Sequence, residues 1–109
     1  MTLAQELGLT AAEAHAIARQ ACDLANAGHL EAARRLLEGL THLDPDHASA
    51  WATLGALAWR QGLIEDAERS LRRALSLEHG HPGALETLRA MGRSGAHHQR
   101  LRTVPEATR

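Results

Sequence analysis

An internal repeat of 34 residues constrains this chain more than any other feature of its sequence. When the sequence is shifted against itself by 34 positions, residues 14–47 align with residues 48–81, and a shorter third copy begins at Pro82. Such periods are typical of repeat proteins, in which each copy buries its apolar face against its neighbours. Ten aligned pairs are identical: Ala14/Ala48, Ala16/Ala50, Ala18/Ala52, Gly28/Gly62, Glu31/Glu65, Ala33/Ala67, Arg35/Arg69, Leu37/Leu71, Leu43/Leu77 and His47/His81.

The composition indicates which secondary structure the repeat adopts. The 109 residues include 22 Ala and 18 Leu, but one Val, two Ile and no Phe or Tyr. Strands draw on β-branched and aromatic residues, whereas Ala, Leu, Arg, Glu and Gln favour helices. We therefore expect an all-α fold in a single domain.

Each copy predicts a pair of antiparallel helices. Apolar residues recur at three- and four-residue intervals in two stretches per copy, separated by Gly28 in the first and Gly62 in the second. A glycine there can take the left-handed conformation that ends a helix, so that the chain reverses into a hairpin. Ala21 and Gly55 are small residues placed where two helix axes come close. Trp51 is assigned to packing.

Local signals set the boundaries of these helices. Thr10 followed by Glu13 forms a capping-box pattern, and Asp44-Pro45-Asp46 interrupts the helical pattern between the copies. Arg89 occupies the position of Ala21 and would block a further hairpin, so the last helix is predicted to be a cap. The predicted helices span residues 11–26, 30–43, 47–61, 64–77 and 82–91, with a short turn over 2–8. The predicted organisation is an extension (1–13), two repeats (14–47 and 48–81), a capping helix (82–92) and a flexible tail (93–109).

The second copy resembles a known family. Its order of Trp51, Leu54, Gly55, Gly62, Ala67, Leu71 and Ala74 is similar to the tetratricopeptide repeat pattern of Trp, Leu-Gly, Ala, bulky apolar and Ala. The first copy keeps the small and turn positions of that pattern. The resemblance implies a right-handed superhelix of about two and a half repeats that binds other proteins without performing chemistry.

The resemblance also implies a binding surface, the concave face lined by the first helix of each repeat. Family members that grip a terminal carboxylate use Lys and Asn there, where this chain has Ala18 and Cys22, so that mode is not expected. An apolar trough instead suits an extended peptide or an amphipathic helix of a partner protein. The predicted groove consists of His15, Ala18, Cys22, Asn26, Ser49, Ala52, Ala56, Trp59 and Arg60.

Two alternatives concern the same fold. The run from Gly28 to Asp44, with Leu54-Gly55-Ala56, is similar to the small tetratricopeptide chaperones of type III secretion systems, which implies a cytoplasmic chaperone for a translocator or needle-type protein. Helical arrays are usually stable from about three repeats upward. Self-assembly into a scaffold, or a homo-oligomer, would therefore supply burial that two and a half repeats lack.

Charge and hydropathy exclude other partners. The net charge of −1 provides no field to attract nucleic acid or an acidic membrane. We expect neither partner, and no membrane span, because the apolar runs are short. A single cysteine, Cys22, cannot form an internal disulfide, which agrees with a cytoplasmic protein.

No enzymatic, cofactor or metal site is predicted. His15 lies about ten ångströms of helical rise from Cys22, too far for a hydrogen bond, so no nucleophile and base are paired. His79, His81, His97 and His98 are interpreted as loop histidines without a ligand set for zinc. Glu65 is placed four residues before Arg69 as a surface pair. The arginines of the tail could contact an acidic partner, but a solvated terminus is preferred.

Overall fold

The chain is a stack of antiparallel helix pairs. The computed structural model describes residues 2–93, which contain six helices and no strand. The helices are α1 (Leu3–Glu6), α2 (Ala11–Asn26), α3 (Leu30–Leu43), α4 (Ala48–Arg60), α5 (Ile64–Leu77) and α6, which occupies residues 82–93. The all-α prediction is confirmed, and α2, α3 and α5 have the predicted bounds. α4 is one residue shorter at each end than predicted, because His47 caps it.

Glycine turns connect the helices of each pair. The backbone φ angles of Gly28 and Gly62 are +93° and +81°, in the left-handed region that favours glycine. After each turn the chain reverses, so that α2 packs against α3 and α4 against α5. The two predicted hairpins are therefore present, and α3 also packs against α4 to join them.

The first helix of each pair has a side-chain cap at its N-terminus. Thr10 Oγ1 accepts a hydrogen bond from the N–H of Glu13, and the Glu13 carboxylate accepts one from the N–H of Thr10, each 3.1 Å long. This is the predicted capping box. A second capping box, formed by Thr2 and Gln5 ahead of α1, was not predicted.

Two apolar clusters form the core. One joins α2, α3 and the α2-facing side of α4, and the other joins α4, α5 and α6. Gly55 of α4 contacts α5 so closely that a Cβ atom there would lie 2.6 Å from the Cγ of Leu71. The predicted role of Gly55 as a spacer between helices is thus confirmed.

The last helix closes the second cluster. Ala84 and Met91 of α6 are buried in it and Leu88 packs against it, whereas Glu86 and Arg89 are exposed. Arg93, which was predicted to begin the tail, is still helical. The remainder of that prediction concerns residues 94–109, which lie outside the described residues.

Ion pairs run along the outer helices. Arg69 of α5 pairs with Asp66, three residues earlier, through an Nη2–Oδ1 distance of 2.9 Å. The predicted partner, Glu65, is wrong. Asp66 is one turn from Arg69 as well, and its shorter side chain receives the guanidinium.

Candidate partner-binding surface

Helix α4 shows which of its sides is available to a partner. Its residues Ala50 and Leu57 belong to the first cluster, and Ala52 and Ala58 to the second. Residues spaced four, three and four positions apart lie in line along a helix. Ser49, Thr53, Ala56 and Arg60 have this spacing and form a row outside both clusters, half-buried or exposed.

The same row recurs in the other first helices. Subtracting 34 from the α4 positions gives four residues of α2 that also avoid the core, whose α2 members are Ala14, Ala18, Ala21 and Ala25. Adding 34 gives three described residues of α6. We call this surface the inner stripe; it consists of His15, Arg19, Cys22 and Asn26 on α2, Ser49, Thr53, Ala56 and Arg60 on α4, and Gly83, Thr87 and Ala90 on α6.

Most of the predicted groove residues lie on this stripe. They are His15, Cys22, Asn26, Ser49, Ala56 and Arg60. Ala18 and Ala52 do not line an open groove, because only 6% and 5% of their surfaces are exposed. Ala18 is packed in the first cluster and Ala52 in the second, so both are spacers between helices. Trp59 is half-buried beside the stripe and packs against the second cluster.

Sequence reasoning missed Arg19, Thr53 and Thr87. It chose steps of three residues along α2, which lead from His15 to the buried Ala18, whereas the four-residue step leads to Arg19. Thr53 and Thr87 are 34 residues apart, and each donates a side-chain hydrogen bond of 2.9 Å to the carbonyl four residues earlier. The alignment of the copies contained the signal, because the buried alanines of α2 fix its core side.

The stripe carries little charge. Among its described residues, Arg19 and Arg60 are the charged side chains, both exposed. Cys22 has a free, half-buried thiol, and its counterpart on α4 is Ala56. The surface can therefore bury apolar groups at its centre and receive a carboxylate or a carbonyl at either arginine.

A hydrogen-bonded Ser-His-Glu group at the start of α4 resembles catalytic machinery but is wired differently. Ser49 Oγ lies 3.1 Å from Nε2 of His81, and a carboxylate oxygen of Glu78 lies 3.8 Å from the same nitrogen. Nδ1 of His81 accepts a hydrogen bond from the N–H of Ala84. The neutral ring therefore carries its proton on Nε2 and donates it to Ser49, so His81 is not placed to remove the serine proton.

His81 instead caps α6, as His47 caps α4. The Nδ1 atoms of His47 and His81 accept hydrogen bonds of 3.1 and 3.2 Å from the N–H groups of Ala50 and Ala84. His81 was interpreted as an exposed loop histidine, but 12% of its side chain is exposed. In residues 2–93 no group of three or more His, Cys, Asp or Glu side chains is arranged to hold a metal ion.

These features define a helical-repeat protein of the kind that presents a surface to other proteins. A family model of the tetratricopeptide repeat matches residues 24–92. The chain belongs to the tetratricopeptide repeat family, whose members are generally non-catalytic protein-interaction modules. Neither the curated proteins nor the solved structures include a match to the chain, so the resemblance to type III secretion chaperones gains no support.

Membrane association was also tested by the structure. None of the helices described for residues 2–93 is both long enough and apolar enough to cross a bilayer.

Proposed function

We propose that this protein is a non-enzymatic binding module that holds a peptide or helical segment of a partner protein across the inner stripe. The observation that carries the proposal is the alignment of three rows, from α2, α4 and α6, that remain outside the core in the same register. Their small side chains leave room for the partner's backbone to come close. Binding then consists of apolar burial with no covalent step.

The composition of the stripe suggests how the segment is oriented. Cys22, Ala56 and the neighbouring Trp59 offer apolar contact at the centre. Arg19 and Arg60 lie on different helices and offer donors that fix direction. Apolar burial supplies affinity, while the few polar groups select the orientation of the bound segment.

A displayed library of random peptides tests the proposal without a known partner. Peptides selected on the full chain are measured against Ala56→Glu, which places a carboxylate at the half-buried centre of the stripe. We expect the affinity of the selected peptides to fall by at least roughly tenfold, because apolar contact is replaced by a charge that must be desolvated.

A matched control separates binding from folding. Ala32→Glu makes the same substitution at an exposed position of α3, away from the stripe, and should leave peptide affinity unchanged. Helicity of both variants is checked by circular dichroism. Equal affinity of Ala56→Glu and the unaltered chain, with both folded, would remove the inner stripe as the binding surface.

Exposed apolar side chains favour self-assembly as a second candidate. Leu3, Leu7, Leu63 and Ile64 are large apolar residues between 39% and 68% exposed. A scaffold built from copies of this chain would cover them. Light scattering across a concentration series distinguishes the two roles, because a monomer at every concentration argues against a scaffold. The type III secretion chaperone role and a cytoplasmic location remain predictions.

A further inference from the structure

A pocket opens on the side of α4 that faces away from the inner stripe. It lies between α3 and α5, has a volume of about 430 Å³, and its floor consists of Trp51, Leu54, Ala58 and Leu63. At 3.6 residues per turn, Trp51, Leu54 and Ala58 point about half a turn away from Ser49, Thr53, Ala56 and Arg60. The two surfaces are therefore separate.

The walls of the pocket are charged, with a small positive excess. They include Arg34 and Glu38 of α3 and Asp66, Arg69 and Arg73 of α5, three cations against two anions. Arg34 is held by Glu31 at 2.8 Å, and this hydrogen bond raises the pKa of Arg34 above its ordinary value. Arg73 has a looser partner, with 3.8 Å between its Nη2 and the carboxylate of Asp46. The pocket thus suits an apolar group accompanied by a negative charge.

Helix α1 presents such a group. Leu3 and Leu7 are four residues apart, so they lie on one side of the helix, and they are 40% and 68% exposed. Ala4 is buried and anchors α1 to the rest of the molecule. Glu6 is the only charged side chain among residues 2–10. The chain therefore carries both an exposed leucine pair with one carboxylate and a pocket with an apolar floor and one excess cation.

We propose that Leu3 and Leu7 of one copy of this protein dock into the pocket between α3 and α5 of a second copy. The partner is a second copy because the leucine pair and the pocket match in polarity and in the sign of their charge. Two and a half repeats also leave less apolar surface buried than a longer array does. The interface is independent of the inner stripe, which remains accessible in the assembly.

Sedimentation velocity of the full chain, at increasing concentration, tests the interface. Leu7→Ser removes the more exposed leucine, and Leu63→Ser removes an apolar residue from the pocket. Each variant is expected to weaken self-association by at least roughly tenfold, because a leucine side chain is no longer transferred out of water. Both positions are exposed, so both variants should keep the helicity of the unaltered chain.

Ile64→Ser is the matched control. Ile64 is 45% exposed and adjacent to Leu63, which is 39% exposed, but it does not line the pocket. Its replacement should leave association unchanged. If Ile64→Ser weakens association as much as Leu63→Ser does, nonspecific stickiness explains the assembly and the proposal is wrong.

A mixing experiment identifies the contact itself. The Leu7→Ser chain keeps an intact pocket and the Leu63→Ser chain keeps an intact α1, so a mixture contains one complete contact. We expect the mixture to associate more strongly than either variant alone. A monomer at every concentration, or a mixture no stronger than its components, overturns the proposal, and the first result leaves the pocket open to a different protein.

Discussion

Gly55 has no room for a side chain at the contact between α4 and α5. A Cβ atom would lie 2.6 Å from Cγ of Leu71 and 3.1 Å from the carbonyl oxygen of Ala67. Leu71 is fully buried, so it has little space in which to yield. Overpacking costs about 1–3 kcal/mol, while replacing glycine in a helix gains at most about 1 kcal/mol. We expect Gly55→Ala to lower the free energy of unfolding measured with urea.

Gly39 supplies the control for this substitution. It lies within α3, is exposed, and a Cβ atom there meets nothing within 4 Å. Gly39→Ala should therefore raise the free energy of unfolding by up to about 1 kcal/mol through helix propensity alone. Similar effects of the two substitutions would show that helix packing does not restrict Gly55.

Glu13 should titrate at a lower pH than an ordinary glutamate. The hydrogen bond from the N–H of Thr10, and then the one involving the Thr10 side chain, hold the pKa of Glu13 below its usual value of 4.5. A depressed pKa means that the carboxylate stabilises the folded state above the unfolded pKa, and that this contribution is lost as pH falls through the folded pKa. Side-chain NMR titration measures the value directly. Thr10→Val should move it part of the way back, and an unchanged value would contradict the role of the hydroxyl.

At the scale of the elements, histidine caps start two of the helices that form the inner stripe. His81 caps α6 through Nδ1 and also reaches Ser49 of α4 through Nε2. Loss of a side-chain cap costs about 1 kcal/mol. We expect His81→Ala to lower the free energy of unfolding by about this amount, and His81→Asn to retain most of it because asparagine is a strong N-cap.

His29 distinguishes capping from a general effect of removing histidine. It precedes α3, is exposed and makes no side-chain cap bond. His29→Ala should therefore leave the urea midpoint almost unchanged. If His29→Ala and His81→Ala are equally destabilising, the hydrogen bond to Ala84 does not explain the loss.

The sequence predicted the elements better than their contacts. Glycine turns and the Thr10 box are local signals, so helix bounds followed from them. Ala18 and Ala52 were misplaced because alanine appears on several sides of these helices, and periodicity alone does not tell a spacer from a surface. The capping histidines were missed because histidine is an uncommon N-cap, and only the three-dimensional arrangement brings His81 to Ser49.

At the scale of the whole molecule, α4 joins the two apolar clusters into one structure. It contributes Leu54 and Leu57 to the first cluster and Ala52 and Ala58 to the second, and Trp51 packs against both. In repeat arrays, stability is the sum of the intrinsic terms of each unit and the interfaces between neighbours. Because a single helix serves both clusters, unfolding one repeat removes part of the core of the other. We therefore expect one cooperative unfolding transition.

Equivalent substitutions in the two repeats test this coupling. Ala33 and Ala67 are 34 residues apart and both fully buried, one in each cluster. Replacing either with glycine should cost about 1 kcal/mol from helix propensity alone. In a Trp51→Phe background, the fluorescence of Trp59 reports on the second cluster, against which it packs. Coupled repeats require that Ala33→Gly shift the urea midpoint of Trp59 fluorescence as far as Ala67→Gly does, with circular dichroism giving the same midpoint. Two steps in circular dichroism, with Trp59 insensitive to Ala33→Gly, would mean that the repeats unfold independently and that α4 does not couple them.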